Sequence, residues 1–165
     1  MRVRAVEVIS FQYRSRLVRD AEGHSHPGPE HDAQACITAI RTAEGISGYS
    51  LGGSPDMLPT AQQVLVGEDP LQRERIWQRL RQFQRLLGPH LDDRYLGAID
   101  LALWDLAGER AGLPVYKLLG GYRDVVPAYV STMCGDDIPG GLARPQDYAD
   151  FCQFCVEQGY RAFKL

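Results

Sequence analysis

The stretch GAIDLALWDLAGERAGLPVYKLLGG, residues 97–121, decides how this chain folds. Its large apolar side chains recur at the three- and four-residue spacing of a helix, and small residues surround them, which lets other elements approach closely. The large apolar positions are Leu96, Ile99, Leu103 and Leu106. A Gly-Leu-Pro sequence at 112–114 ends the pattern, and a short helical turn follows. We expect an almost fully buried helix over residues 95–111.

The residues before this helix predict a sheet and one further helix. Residues 67–88, GEDPLQRERIWQRLRQFQRLLG, carry an amphipathic pattern with a candidate capping box from Asp69 to Gln72. Residues 3–13 and 35–42 alternate between polar and apolar side chains, and a turn at 43–45 leads into a third apolar run at 46–51. The pattern predicts a three-stranded antiparallel meander followed by helices, an α+β arrangement.

Two stretches lack any periodicity. Residues 15–32, SRLVRDAEGHSHPGPEHD, are polar and rich in glycine and proline, and GGSPDMLP follows the third strand at 52–59. The first is too long for a plain turn, and loops of that length in compact domains are often functional. Since both leave the same sheet, each can border one site.

The spacing of the apolar residues changes again after residue 124. An extended apolar run at 125–133 is followed by a loop, by a helix opened by Pro145, and by YRAFKL at 160–165. This order predicts a βαβ unit with parallel strands and a right-handed crossover. We therefore expect a C-terminal architecture that is begun within the chain and not finished.

The composition is that of a globular protein, and we expect a cytoplasmic location. Of the 165 residues, 44% are hydrophobic, and the N-terminus lacks the order of a secretory signal. The net charge of −3 provides no basic field, so we expect neither a nucleic-acid nor a membrane partner. Cys152 and Cys155 form a C-x-x-C in mid-helix, where apolar spacing favours core packing over a redox or zinc site.

The opening stretch resembles the signature of the mandelate racemase and muconate lactonizing enzyme family of the enolase superfamily. The positions that carry the resemblance are Ala98-Ile99-Asp100, Ala102-Leu103, Asp105-Leu106, Gly108, Pro114-Val115 and Leu118-Leu119-Gly120. Glu109 and Tyr95 depart from the usual pattern without touching the chemistry. The resemblance implies an enolase-like N-terminal capping domain at 1–122 and the truncated start of a (β/α)-barrel at 123–165, with GYRAFKL as its second strand.

The same resemblance implies a chemistry. In many members this strand carries Lys-x-Lys or Lys-x-His, and the second basic residue removes the proton next to a carboxylate. Lys164 matches the first position and is the predicted catalytic residue. The enediolate is stabilised by Mg²⁺, whose family ligands lie on later barrel strands. We therefore expect the full-length parent to be the enzyme, and the 165-residue chain to be inactive and without a metal site.

Substrate contacts are predicted from the family's two lid loops, which match residues 14–32 and 49–54. Arg16, His24 and Tyr49 are the candidates on these loops. Ser131 and Thr132 follow the first barrel strand, where a substrate-facing hydroxyl and a simple strand-end turn are equally open. The remaining acidic and histidine positions favour polar contacts over metal binding: the loop histidines 24, 26 and 31, the adjacent pair Asp136 and Asp137, and the capping or inter-domain candidates Asp100 and Asp105.

These inferences lead to one functional prediction. We expect the parent to be a homo-oligomeric acid-sugar dehydratase acting on a small carboxylate, because a long, polar, histidine-containing lid suits a polyhydroxylated acid. A racemase, epimerase or cycloisomerase of the same family is the alternative within this chemistry. A non-catalytic capping or oligomerisation module is the alternative outside it.

Overall fold

The computed structural model describes residues 1–19, 25–87, 91–132 and 141–164, apart from the side chains of 26–28 and 87. The chain divides into two compact units. The first comprises Met1–Gln12 and Gln34–Tyr122, and the second comprises Tyr13–Ala33 and Arg123–Leu165. None of the helices in the described ranges is both long enough and apolar enough to cross a membrane.

A three-stranded antiparallel sheet confirms the predicted meander. Its strands are β1 (Val3–Arg19), β2 (Ser25–Thr42) and β3 (Ser47–Leu51), in the order β1-β2-β3. The β2–β3 register runs from Ile37 opposite Leu51 to Arg41 opposite Ser47. Gly45, at a φ of 87°, forms the turn, and the Thr42 hydroxyl donates to the Ile46 carbonyl at 2.8 Å. Glycine suits this turn because the left-handed region carries no steric cost for it.

The predicted irregular loop at 15–32 is wrong for most of its length. Strand β1 continues to Arg19 and β2 begins at Ser25, so both strands extend into an arm, here defined as residues 13–33. Across the arm, the Arg14 guanidinium donates to Glu30 at 2.8 Å and to Asp32 at 2.8 Å. The sequence does not reveal these strands, because strands with solvated polar side chains can pair through their backbones without any alternation of apolar residues.

In the described residues of the first unit, one 3-10 helix and four α-helices follow the sheet. A short 3-10 helix at Pro55–Met57 leads into α1 (Leu58–Leu65), so the second predicted irregular stretch is partly helical. Next come α2 (Arg73–Leu87), α3 (Asp93–Ala111) and the single turn α4 (Val115–Leu118). Helix α2 begins after the predicted capping box, because the Asp69 carboxylate accepts from the amide of Leu71 in a preceding turn.

Helix α3 lies at the centre of the hydrophobic core, but the expectation of an almost fully buried helix is wrong, because Leu101, Asp105 and residues 109–111 are exposed. Asp92 caps its N-terminus by accepting from the Tyr95 amide at 3.0 Å, and Gly112, at a φ of 65°, ends it. The helix packs against β3 at Gly48, where a Cβ atom would lie 2.1 Å from the Ala102 carbonyl oxygen. The buried members of the core are Val3, Val6, Ile40, Met57, Ala61, Val64, Leu65, Ile76, Leu80, Leu91, Leu96, Ile99, Ala102, Leu103 and Leu106.

Asp105 has a role within this unit that differs from the predicted inter-domain contact. Its carboxylate accepts from the backbone amide of Tyr49 at 2.8 Å. Among the described residues β3 is an edge of the sheet, so no described strand lies beside this amide on that side. The signature carboxylate therefore joins α3 to the edge of the sheet and satisfies a backbone donor that the ladder leaves open.

The described C-terminal residues of the second unit form the predicted βαβ arrangement. Its elements are β4 (Val130–Ser131), α5 (Pro145–Glu157) and β5 (Phe163–Lys164), and the two strands are parallel. The first strand is shorter than predicted, since residues 125–129 lie outside it and are exposed. On α5, Cys155 is buried and Cys152 half-buried, which agrees with packing rather than redox chemistry.

Candidate functional site

Strands β4 and β5 bring two of the predicted site residues together. Lys164 ends β5 and lies directly opposite Ser131, which ends β4. Because the strands are parallel, both residues lie at their carboxyl ends, the edge at which the active sites of (β/α)-barrels are built. Both side chains are exposed. An ammonium group and a hydroxyl at this edge are suited to binding a carboxylate.

Thr132 links the two strands beyond this pair. Its backbone amide donates to the Lys164 carbonyl oxygen at 3.0 Å, and its hydroxyl donates to the same oxygen at 3.2 Å. Thr132 is buried, with 9% of its surface exposed. Sequence reasoning places a hydroxyl at this strand end, but it does not identify the Lys164 carbonyl as its acceptor, since the two residues are far apart in the chain.

The arm contributes one predicted contact in described residues. The Arg16 side chain is 78% exposed, and its guanidinium approaches Glu30 at 3.5 Å. Arg14, which the sequence analysis did not select, is held more closely by two carboxylates. Of these two guanidinium groups, Arg16 is therefore the less constrained by its ion pairs. His24 lies outside the described residues.

Tyr49 lies in a strand rather than in a lid loop. It occupies the middle of β3 opposite Ala39, within the first compact unit. Its hydroxyl accepts from Arg41 at 3.2 Å, and the Arg41 guanidinium lies 5.8 Å from the ring centroid. The predicted lid stretch 49–54 is thus strand as far as Leu51, and only residues 52–54 are irregular.

The described residues do not fit a metal centre. Nowhere among them do three histidine, cysteine, aspartate or glutamate side chains group closely enough to hold an ion. The His31 ring nitrogen Nδ1 lies 3.1 Å from the Pro29 carbonyl oxygen, a local contact within the arm. Asp136 and Asp137 lie outside the described residues. At the carboxyl ends of β4 and β5, the described groups suited to binding a substrate are therefore the Lys164 ammonium and the neighbouring hydroxyl groups.

A separate concavity of about 250 Å³ lies between α2 and α3. Arg73 stacks on the Trp104 ring, with 3.2 Å between the guanidinium carbon and the ring centroid. Burial raises the pKa of Asp100 above its ordinary value, the Arg73 charge opposes this, and Glu74 adds to it. The cluster thus places a signature carboxylate in partly desolvated surroundings, and it includes none of the predicted site residues.

Comparison with known proteins adds independent findings. Residues 24–120 match the family model described as the mandelate racemase / muconate lactonizing enzyme N-terminal domain. The structure superposes on that of D-glucarate dehydratase from Agrobacterium tumefaciens complexed with magnesium, with a TM-score of 0.87 and 46% sequence identity. The superposition covers 100% of this chain and 44% of that one.

Two curated proteins show the range of named activities among the relatives. The chain is 35% identical over 137 residues to D-galactonate dehydratase of Variovorax paradoxus (strain S110), covering 76% of this chain and 33% of that protein. It is 40% identical over 103 residues to 3,6-anhydro-alpha-L-galactonate cycloisomerase of Streptomyces coelicolor, covering 61% and 27%. The chain spans a third or less of the length of these curated relatives.

Proposed function

The chain belongs to the mandelate racemase/muconate lactonizing enzyme family, and we propose that it forms the capping domain (1–122) and first barrel strands (123–165) of an acid-sugar dehydratase. The observation that carries the proposal is the position of Lys164 at the carboxyl end of a parallel strand, beside Ser131. This edge is where barrel enzymes bind and convert their substrates. The relatives named as dehydratases of sugar acids support the substrate class.

The reaction begins with loss of the proton next to a carboxylate. A cation beside the base disfavours the protonated base, lowers its pKa and so makes it competent near neutral pH. The Lys164 ammonium is suited to this task because no ion pair within the described ranges uses it. It can also donate a charge-assisted hydrogen bond to the substrate carboxylate. Either role places negative charge of the substrate at the end of β5.

Hydroxyl and guanidinium groups are proposed to orient the rest of the substrate. The Ser131 hydroxyl lies opposite Lys164 on the neighbouring strand end. Arg16 on the arm is a donor suited to a carboxylate, since a guanidinium binds both oxygens at once. His24 and Tyr49 are proposed as further contacts on the strength of the family resemblance, and Tyr49 makes the weaker case because Arg41 already engages its hydroxyl.

We propose that the assembled enzyme uses Mg²⁺ to stabilise the enediolate, as the magnesium complex of D-glucarate dehydratase suggests. The described residues of this chain supply no group of ligands for it. Their part is to bind and orient the carboxylate and to tune the base. Homo-oligomer formation and a cytoplasmic location stay predictions.

A cycloisomerase or racemase is the second candidate, favoured by the identity to the Streptomyces coelicolor cycloisomerase. All three reactions share proton removal, so the fate of the enediolate distinguishes them. Dehydration expels the β-hydroxyl as water and leaves a 2-oxo acid after tautomerisation. Racemisation returns a proton to the same carbon and forms no 2-oxo acid.

The proposal is tested in a chimera, with these 165 residues replacing the matching segment of the Agrobacterium tumefaciens D-glucarate dehydratase. Formation of 2-oxo acid from D-glucarate and D-galactonate is measured, together with exchange of the α-proton in deuterated water. Turnover with 2-oxo acid formation is expected. Exchange without 2-oxo acid would favour a racemase.

The role of Lys164 is tested in the same chimera. Lys164→Ala is expected to lower kcat about 100-fold or more, which is typical of losing a group that assists proton transfer. Lys117→Ala is the matched control, because Lys117 is an exposed lysine on α4. A folded chimera in which the two variants retain equal activity would overturn the proposed function.

A further inference from the structure

We infer that Thr132 is a positioning residue, and that its hydroxyl holds the end of β5 in the orientation that Lys164 requires. The inference rests on the proposed function of Lys164. Its observation is the pair of hydrogen bonds from Thr132 to one atom, the Lys164 carbonyl oxygen, at 3.0 Å from the amide and 3.2 Å from the hydroxyl. A carbonyl oxygen has two lone pairs and can accept both.

The strand pair is short, so each bond between its strands matters. Strands β4 and β5 hold two residues each. Backbone bonds flank the paired residues, from the Val130 amide to the Ala162 carbonyl at 2.9 Å and from the Thr132 amide to the Lys164 carbonyl at 3.0 Å. The Thr132 hydroxyl adds a side-chain bond at the strand end that carries the proposed catalytic residue.

The bonded atom explains how a distant side chain can act on Lys164. The carbonyl belongs to Lys164 itself, and its direction is set by the ψ angle of that residue. Holding the carbonyl therefore limits rotation next to the Cα atom from which the lysine side chain extends. Threonine is suited to this role because its branched Cβ restricts the χ1 angle, and burial of Thr132 shields the bond from water.

The expected effect is on turnover rather than on substrate binding. A catalytic group displaced by about 1 Å can lose about 100-fold in rate. Thr132→Val removes the hydroxyl but keeps the shape and the backbone amide. We expect kcat in the chimera to fall about tenfold or more with KM changed less than about threefold. Thr132→Ser restores the hydroxyl and is expected to recover most of the lost kcat.

Thr38→Val is the matched control. The Thr38 hydroxyl is buried and donates to the Gly52 carbonyl at 2.9 Å, within the first compact unit. The control removes the same chemical group from a comparable bond. A loss of stability without a loss of kcat is expected for it. Equal kcat for Thr38→Val and Thr132→Val would overturn the positioning role.

A second measurement on the 165-residue chain keeps the inference testable if Thr132→Val lowers expression of the chimera. The ¹³C resonance of the Lys164 carbonyl is expected to move upfield in Thr132→Val and to return in Thr132→Ser, because the carbonyl loses and regains a donor. An unchanged resonance would overturn the inference. Activity that survives Lys164→Ala would instead overturn the proposed function, so the two failures are distinguishable.

Discussion

Replacing Gly48 by alanine tests the packing of the signature helix on the sheet. The added Cβ would lie 2.1 Å from the Ala102 carbonyl oxygen and 2.6 Å from both the amide nitrogen and the Cβ atom of Leu106. Ordinary contacts of a Cβ atom begin at about 3.4 Å. Two of the three obstructing atoms are helix backbone, which cannot rotate away. Helix α3 must therefore withdraw from β3 by about 1 Å.

A withdrawal of this size affects the whole helix face. A gap of about 0.5–1 Å forfeits a quarter to a half of each dispersion contact. The α3 side chains that depend on this packing are at most 1% exposed: Leu96, Ile99, Leu103 and Leu106. We expect Gly48→Ala to lower the free energy of unfolding by about 3 kcal/mol, at the upper end of the usual cost of overpacking.

Urea unfolding followed by tryptophan fluorescence measures this loss, because Trp77 and Trp104 lie on α2 and α3. Gly97→Ala is the control. Gly97 lies on α3, the helix against which Gly48 packs, and a Cβ atom at Gly97 would meet nothing within 4 Å. Alanine should stabilise the helix at that position by about 0.5–1 kcal/mol. The reasoning is refuted if Gly48→Ala unfolds at the wild-type urea concentration, or if both variants lose equal stability.

Three further variants test the electrostatics and the backbone contacts of the fold. Asp105→Ala leaves the Tyr49 amide without its acceptor and should cost about 1–2 kcal/mol in urea unfolding, whereas Asp105→Asn should recover much of this. Arg14→Ala should cost less than about 1 kcal/mol, and added salt should shrink the difference, because both of its carboxylate partners on the arm are exposed. Burial raises the folded-state pKa of Asp100 above its ordinary value of 3.8. The protonated carboxyl group therefore contributes fully to the stability of the fold below pH 3.8, and this contribution is lost as the pH rises through the folded-state pKa. Asp100→Asn should therefore gain stability relative to wild type as the pH rises from below 3.8 through the folded-state pKa, and a pH-independent difference in unfolding midpoints would contradict the assignment.

The helices and the core strands could be predicted because their burial leaves a periodic pattern. The three- and four-residue spacing in α2 and α3 and the alternation in the core parts of β1, β2 and β3 all reflect one apolar face against the core. The arm leaves no such pattern, since Arg14, Glu30 and Asp32 face water while their backbones pair. The predicted capping box at Asp69 was wrong for a local reason. In the turn before α2, the Asp69 carboxylate accepts a hydrogen bond from the Leu71 amide.

The candidate site divides in the same way. Lys164 could be selected because the family resemblance identifies its strand, and Ser131 because it follows the first predicted barrel strand; parallel pairing then places the two residues side by side. Tyr49 was assigned to a lid loop by the family resemblance, although the apolar run at 46–51 already predicted a strand through it. The structure keeps Tyr49 in β3, and Asp105 accepts from its backbone amide.

The sequence by itself determined the order of the core strands, of α2 and α3 and of the βαβ unit, the apolar faces of α2 and α3, and the family to which the chain belongs. These properties depend on residues close together in the chain, whose spacing records which face is buried. Only the tertiary structure decided that polar residues pair along the arm, that Asp105 closes the edge of β3, and that Thr132 donates twice to the Lys164 carbonyl. Each of these contacts joins residues distant in sequence through directional hydrogen bonds, and such bonds form only where the fold brings donor and acceptor within about 3 Å.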